Sequence, residues 1–114
     1  MDKISTQQLY ALFLETLNNC GTFLLNCSTQ DICYHLFEEF DTDSISFLHE
    51  NALHTLAEKG YISAEVYSLS KLLGEKFRSL ENTELWSVDH VKTSPQWRSV
   101  LELSDKIRSK TGDK

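Results

Sequence analysis

Only one proline and four glycines interrupt this chain of 114 residues, and apolar side chains recur at helical spacing along most of it. Proline and glycine are the residues least favourable inside a helix, so their scarcity allows long helical segments. A chain of this length forms one domain with a core of its own. The sequence therefore predicts an all-α fold, a compact bundle of five to six amphipathic helices in a single domain over residues 1–114.

Serine residues mark most of the predicted helix starts. Ser5 is followed three residues later by Gln8, which is the pattern of a capping box. Ser28 and Ser63 are further N-caps, and Ser94 precedes the single proline, which is favoured at the first helical position. The predicted helices cover about residues 5–18, 28–40, 45–58 and 63–81, with a last helix that begins at 95. For residues 83–93 we favour a short helix over a packed loop, because the apolar period there is uneven.

The second helix is predicted to have one apolar and one acidic side. At about 100° per residue, one arc is apolar and holds Ile32, Cys33, Leu36, Phe37 and Phe40. Asp31, His35 and Glu38 project from the other side, and Glu39 flanks it. The polar residues 41–44 predict a break, after which a third helix buries its own apolar set, Ile45, Leu48, Ala52, Leu53 and Leu56.

No motif for catalysis, metal binding or cofactor binding stands out in the sequence. Cys33 and His35 are two residues apart, so they point away from each other on a helix. His49 and His54 are five apart, which does not fit the i, i+3 or i, i+4 spacing of helical metal ligands. His49 lies at the edge of an apolar arc and is predicted to be a core histidine. We therefore predict a protein that is not an enzyme and needs no cofactor.

The composition also limits the compartment and the class of partner. Three cysteines with no metal-binding or disulfide spacing fit reduced thiols in a cytoplasm. We find no apolar run long enough to span a membrane and no secretion signal at the first residues. The net charge of −6 disfavours direct binding to nucleic acid or to an anionic membrane.

Negative charge is concentrated in the first half of the chain. Nine acidic residues and one basic residue occur from Met1 to Glu58, whereas Lys59 to Lys114 is nearly balanced. Such a field attracts a cationic protein partner, although an acidic surface that serves solubility alone is the other reading. The predicted contact surface consists of Asp31, Glu38, Glu39, Asp41, Asp43 and Glu50. Tyr34, His35 and Phe47 are candidates for apolar contacts inside it.

The stretch from Phe47 to Arg108 carries the phrases FLHENALHTLAEKGYIS, LSKLLGEKFRSLE, LW and SPQWRSVLELSDKI. In these the chain resembles the small helical immunity proteins of bacterial contact-dependent growth inhibition and related polymorphic-toxin systems. The resemblance implies a non-catalytic cytoplasmic inhibitor that binds the C-terminal toxin domain of its cognate system, frequently a basic nuclease. A helical adaptor or regulatory subunit that binds its partner through an apolar groove remains the alternative.

Overall fold

A computed structural model describes residues 5–111, and these residues form an all-α fold, as the sequence predicts. The helical segments are α1 (Thr6–Asn18), a 3-10 helix (Thr22–Asn26), α2 (Thr29–Ile32), a π-helix (Cys33–Phe40), α3 (Asp41–Phe47), α4 (Glu50–Glu58), α5 (Ala64–Leu80), α6 (Val88–Thr93) and α7 (Pro95–Lys110). None of these helices is long and apolar enough to cross a membrane. Asp2 and Lys3, which enter the charge count, and the first residues searched for a secretion signal lie outside the described range.

The predicted serine caps are confirmed. Ser5 Oγ accepts the Gln8 N–H at 3.0 Å, and the Gln8 side-chain oxygen accepts the Ser5 N–H at 3.4 Å, which completes the capping box. Ser28, Ser63 and Ser94 likewise accept N–H groups in the first turns of α2, α5 and α7. These caps satisfy backbone donors that a helix start otherwise leaves without partners.

The predicted break at residues 41–44 is wrong, because α2, the π-helix and α3 run on without interruption from 29 to 47. We call this continuous segment the rod. Its buried positions recur strictly every four residues, at Ile32, Leu36, Phe40, Ser44 and Leu48. Four residues of an α-helix overshoot a full turn by about 40°, so such a stripe drifts off the core. The wider i→i+5 turns of the π-helix remove this overshoot and keep Ile32, Leu36 and Phe40 directed inward.

The other residues of the rod form three surfaces, because positions four residues apart lie on the same side. The outward surface is exposed throughout and carries Gln30, Tyr34, Glu38, Thr42 and Ser46. One flank lies toward α1, since His35 Nδ1 is 2.8 Å from Oδ1 of Asn19 at the end of α1. The opposite flank lies toward α5 and α7, where the Phe37 ring contacts the Trp97 ring of α7.

Aromatic rings fill the centre of the bundle between the rod, α5 and α7. Phe77 of α5 packs edge-on against Phe40, Trp86 and Trp97, with ring centroids 4.7–5.8 Å apart. Trp97 Nε1 donates to the Leu85 carbonyl oxygen at 2.6 Å and so fixes the turn that precedes α6. The undecided segment 83–93 is thus a tightly held turn followed by the short helix α6.

Two predictions for the third helix are wrong because the chain breaks at Leu48 and His49, after the rod has ended. Ile45 is 61% exposed instead of buried. His49 is exposed and caps α4, with its Nδ1 accepting the Asn51 N–H at 3.1 Å, so it is not a core histidine. Cys20 is fully buried, and burial raises the pKa of its thiol to about 12.

Candidate partner-binding site

The structure separates the six predicted contact acids into two groups on opposite flanks of the rod. Asp31, Glu39 and Asp43 occupy the flank toward α1, and Glu38 lies beside them on the outward surface. The π-helix Cys33–Phe40 lies between Asp31 and Asp43 in the continuous rod. These four carboxylates therefore lie along one side of the rod. The other two predicted acids, Asp41 and Glu50, belong to the side toward α5.

Glu15 of α1 joins the first group, which the sequence analysis did not predict. Partial burial raises the pKa of Asp43, and the negative charges of Glu39 and Glu15 raise it further. The three carboxylates therefore repel one another across the contact between α1 and the rod. We call Glu15, Asp31, Glu38, Glu39 and Asp43 the acidic face. Glu15 is one of the nine acidic residues counted in the first half of the chain. Its place beside the rod depends on how α1 packs, which no short stretch of sequence indicates.

The carboxylates of the acidic face form no ion pair within the part of the chain that the structure describes. Between residues 5 and 111, ion pairs shorter than 4.0 Å involve Arg78, Arg98, Arg108 and Lys110, and none of them reaches a carboxylate of the acidic face. Like charges held this close lower the stability of the folded chain unless a cation from outside neutralises them. The acidic face is thus suited to a positively charged partner.

Asp41 is different, because its charge is compensated within the molecule. Arg78 of α5 lies with Nη2 2.7 Å from Asp41 Oδ1, and the same nitrogen donates to the Asp41 carbonyl oxygen at 2.9 Å and to Ser44 Oγ at 2.8 Å. Arg78 Nη1 also pairs with Glu81 at 3.0 Å. Since both Nη2 protons go to the carbonyl and the hydroxyl, the contact with the carboxylate is an ion pair. Asp41 is consequently part of the link between the rod and α5.

Glu50 borders a shallow groove between the end of the rod and α5. The groove encloses about 680 Å³. Its apolar wall is formed by Ile45 and Leu48, and Lys71, Glu75 and Arg78 stand on its α5 side. Positive and negative side chains alternate here, so the groove has no single charge preference. It offers a partner an apolar surface centred on the exposed Ile45.

Three rings lie next to the acidic face. Tyr34 is 51% exposed and Phe23, from the 3-10 helix, is 38% exposed. The His35 ring lies between them, with its centroid 5.3 Å from that of Tyr34 and 5.7 Å from that of Phe23. We call these three residues the aromatic patch. Exposed rings surrounded by polar groups are typical of the residues that contribute most to binding energy in protein interfaces.

Within residues 5–111, no group of three or more His, Cys, Asp and Glu side chains is arranged to hold a metal ion. Cys20, Cys27 and Cys33 are all free thiols. The acidic face and the aromatic patch therefore form a surface suited to binding, and the described residues assemble no metal centre on it.

Comparison with known proteins returned no relative. No protein-family model matches the chain, and no curated protein or solved structure matches it.

Proposed function

We propose that this protein is an immunity protein that binds and neutralises a basic toxin domain, a nuclease of a contact-dependent growth inhibition system. The observation that carries the proposal is the acidic face, whose five carboxylates form no ion pair in the described part of the chain. The resemblance of residues 47–108 to such inhibitors supplies the class of partner.

The mechanism is competition for a surface that binds phosphates. A nuclease domain holds the nucleic acid backbone with a row of lysine and arginine side chains. The acidic face presents a row of carboxylates along one side of the rod, with Glu15 of α1 beside it, so it can occupy such a row in place of the nucleic acid. Attraction between the two surfaces also accelerates the encounter, which an inhibitor needs in order to act before the toxin does.

Growth rescue tests this proposal. The proposal predicts a toxin gene directly upstream of this one, and the C-terminal domain of its product is expressed in a bacterial host with or without the full chain. We expect the chain to restore growth and to bind the purified domain. Failure of both rescue and binding would refute the proposed function.

Charge reversal tests the surface itself. In the variant Glu38→Lys/Glu39→Lys, we expect association with the toxin domain to slow by about tenfold or more at low salt, with a smaller effect at high salt. The matched control Glu84→Lys/Glu102→Lys makes the same charge change at exposed positions away from the acidic face. Equal rates for the two variants would remove the acidic face from the mechanism.

The groove supports a second candidate function, that of a helical adaptor or regulatory subunit. Ile45 is 61% exposed at its rim, which is unusual for a large aliphatic side chain in a folded domain. Binding through this groove would depend on apolar contact and would survive high salt. The variant Ile45→Asp distinguishes the two candidates, because it abolishes groove binding and leaves binding by the acidic face intact.

A further inference from the structure

The aromatic patch is held in place before any partner binds. His35 Nδ1 is 2.8 Å from Asn19 Oδ1, so the imidazole has a fixed orientation between the other two rings. Asp105 of α7 accepts hydrogen bonds from both the N–H and the hydroxyl of Thr22, which secures the start of the 3-10 helix that carries Phe23. A surface that is already ordered loses little conformational entropy on binding.

Two of the three residues of the aromatic patch, Tyr34 and His35, lie in the first turn of the π-helix. Most π-helical segments are single-turn bulges, and they occur frequently at functional sites. Here the π-helix keeps Tyr34 on the outward surface of the rod while its neighbours at 32 and 36 remain fully buried. The tyrosine ring therefore stands on a rigid helix whose other side is fixed in the core.

The charges beside Tyr34 select the class of group that its ring binds, whereas the Phe23 end of the patch adjoins Arg108, whose guanidinium pairs with Asp105. Asp31 precedes Tyr34 by about one turn, and Glu38 follows it by about one turn, so carboxylates border the exposed ring on both sides along the rod. An anionic group would be repelled, and an apolar group would leave these carboxylates to be desolvated without compensation. A cation satisfies both the ring face and the carboxylates.

We propose that the aromatic patch binds an arginine side chain of the partner, with the guanidinium stacked on the Tyr34 ring and paired with Asp31 or Glu38. Arginine fits better than lysine because its planar, weakly hydrated guanidinium stacks on aromatic rings and offers several donors to carboxylates. The inference rests on the proposed function for the identity of the partner, and it names the residue type that anchors the partner at this surface.

The test uses the full chain and two peptide probes of equal charge, hexa-arginine and hexa-lysine. Each peptide is titrated into the 15N-labelled protein, and the dissociation constant is taken from the amide shifts. We expect the shifts to centre on Phe23, Tyr34 and His35, and hexa-arginine to bind about two- to fivefold more tightly than hexa-lysine. Equal affinities, absence of binding, or shifts centred on the groove would each overturn the inference.

Three variants test whether the Tyr34 ring causes the preference for arginine. Tyr34→Ala removes the ring at an exposed helical position, and we expect this variant to lose the preference for arginine while it still binds hexa-lysine. Tyr34→Phe keeps the ring and should keep the preference. Tyr61→Ala is the matched control, since Tyr61 is 38% exposed and packs against Tyr10 instead of the aromatic patch. A Tyr34→Ala protein that still prefers arginine contradicts the proposal.

The outcomes separate this inference from the proposed function. Growth rescue without a preference for arginine would refute the inference and leave the immunity function in place. A preference for arginine that depends on Tyr34, without growth rescue, would refute the immunity function and leave an arginine-binding surface for a different basic partner.

Discussion

Replacing Arg78 by methionine tests whether the link between the rod and α5 stabilises the fold. The variant keeps the aliphatic stem near the Phe77 ring, over which the guanidinium carbon lies at 5.0 Å. It removes two hydrogen bonds, to the Asp41 carbonyl oxygen and to Ser44 Oγ, and the ion pairs with Asp41 and Glu81. The Arg78 side chain is 34% exposed, so solvent weakens each of these contacts.

The expected loss follows from those contacts. A hydrogen bond from a charged donor contributes about 1.5–3 kcal/mol when well buried, and we take about 1 kcal/mol for each of the two at this partly exposed site. The ion pairs add less than about 0.5 kcal/mol each. The free energy of unfolding should therefore fall by about 2–3 kcal/mol, which lowers Tm by about 10 °C in a domain of this size.

Urea unfolding, followed by the fluorescence of Trp86 and Trp97, measures this loss. Both indoles lie in the ring cluster around Phe77, so their emission reports on the packing beside Arg78. Arg98→Met is the matched control, because Arg98 pairs with Glu102 alone among residues 5–111, at 3.7 Å, and both side chains are more than half exposed. We expect that control to change stability by less than about 0.5 kcal/mol. Equal losses in the two variants would show that the link contributes nothing beyond a surface ion pair.

Further changes to stability can be measured in the same way. Leu36→Ala, in a fully buried position, should lower the free energy of unfolding by about 3 kcal/mol, and a loss below about 1 kcal/mol would contradict the stripe of buried residues. Asp43→Asn should raise stability at pH 7 by up to about 0.5 kcal/mol, because the raised pKa of Asp43 means that folding disfavours its charged form. That gain is fully present above the pKa of the folded state and should vanish as the pH falls below the ordinary value of 3.8, so a gain that persists at pH 3 would refute the cause given. Gly60→Ala should cost about 1 kcal/mol because its φ is +84°, whereas Gly74→Ala should stabilise α5 by up to about 1 kcal/mol, since the added Cβ would lie at an ordinary 3.6 Å from Leu48. A destabilised Gly74→Ala variant would show that the glycine is needed where α5 passes the end of the rod.

The fold class and the helix starts could be predicted because they depend on short stretches of sequence. Ser5 and Gln8 are three residues apart, and their reciprocal hydrogen bonds require nothing from the rest of the chain. The apolar arc of the second helix was likewise predicted, since Ile32, Leu36 and Phe40 are apolar at helical spacing and all three are fully buried. A feature can be predicted from the sequence when all the residues that form it lie within about one helical turn of each other.

The rod could not be predicted because distant contacts override its local preferences. Residues 41–44 consist of aspartate, threonine and serine, which favour caps and turns when considered alone. In the fold, Arg78 binds Asp41 and Ser44 from a position more than thirty residues away, and it holds them in helical conformation. The exposure of Ile45 and His49 follows from this continuation, because the break moves to the end of the rod.

The same contact divides the acidic residues by role. Arg78 takes up the charge of Asp41 on the flank toward α5, so that carboxylate serves the packing of the rod. On the flank toward α1 the neighbour is Glu15, which adds repulsion to Asp43 where a lysine would remove it. Burial is the main cause of the raised pKa of Asp43, and the charges of Glu39 and Glu15 add to it, which a surface that served solubility alone does not require. Repulsion maintained beside an ordered aromatic patch is instead relieved when a cationic partner binds, and this favours a binding role for the acidic face.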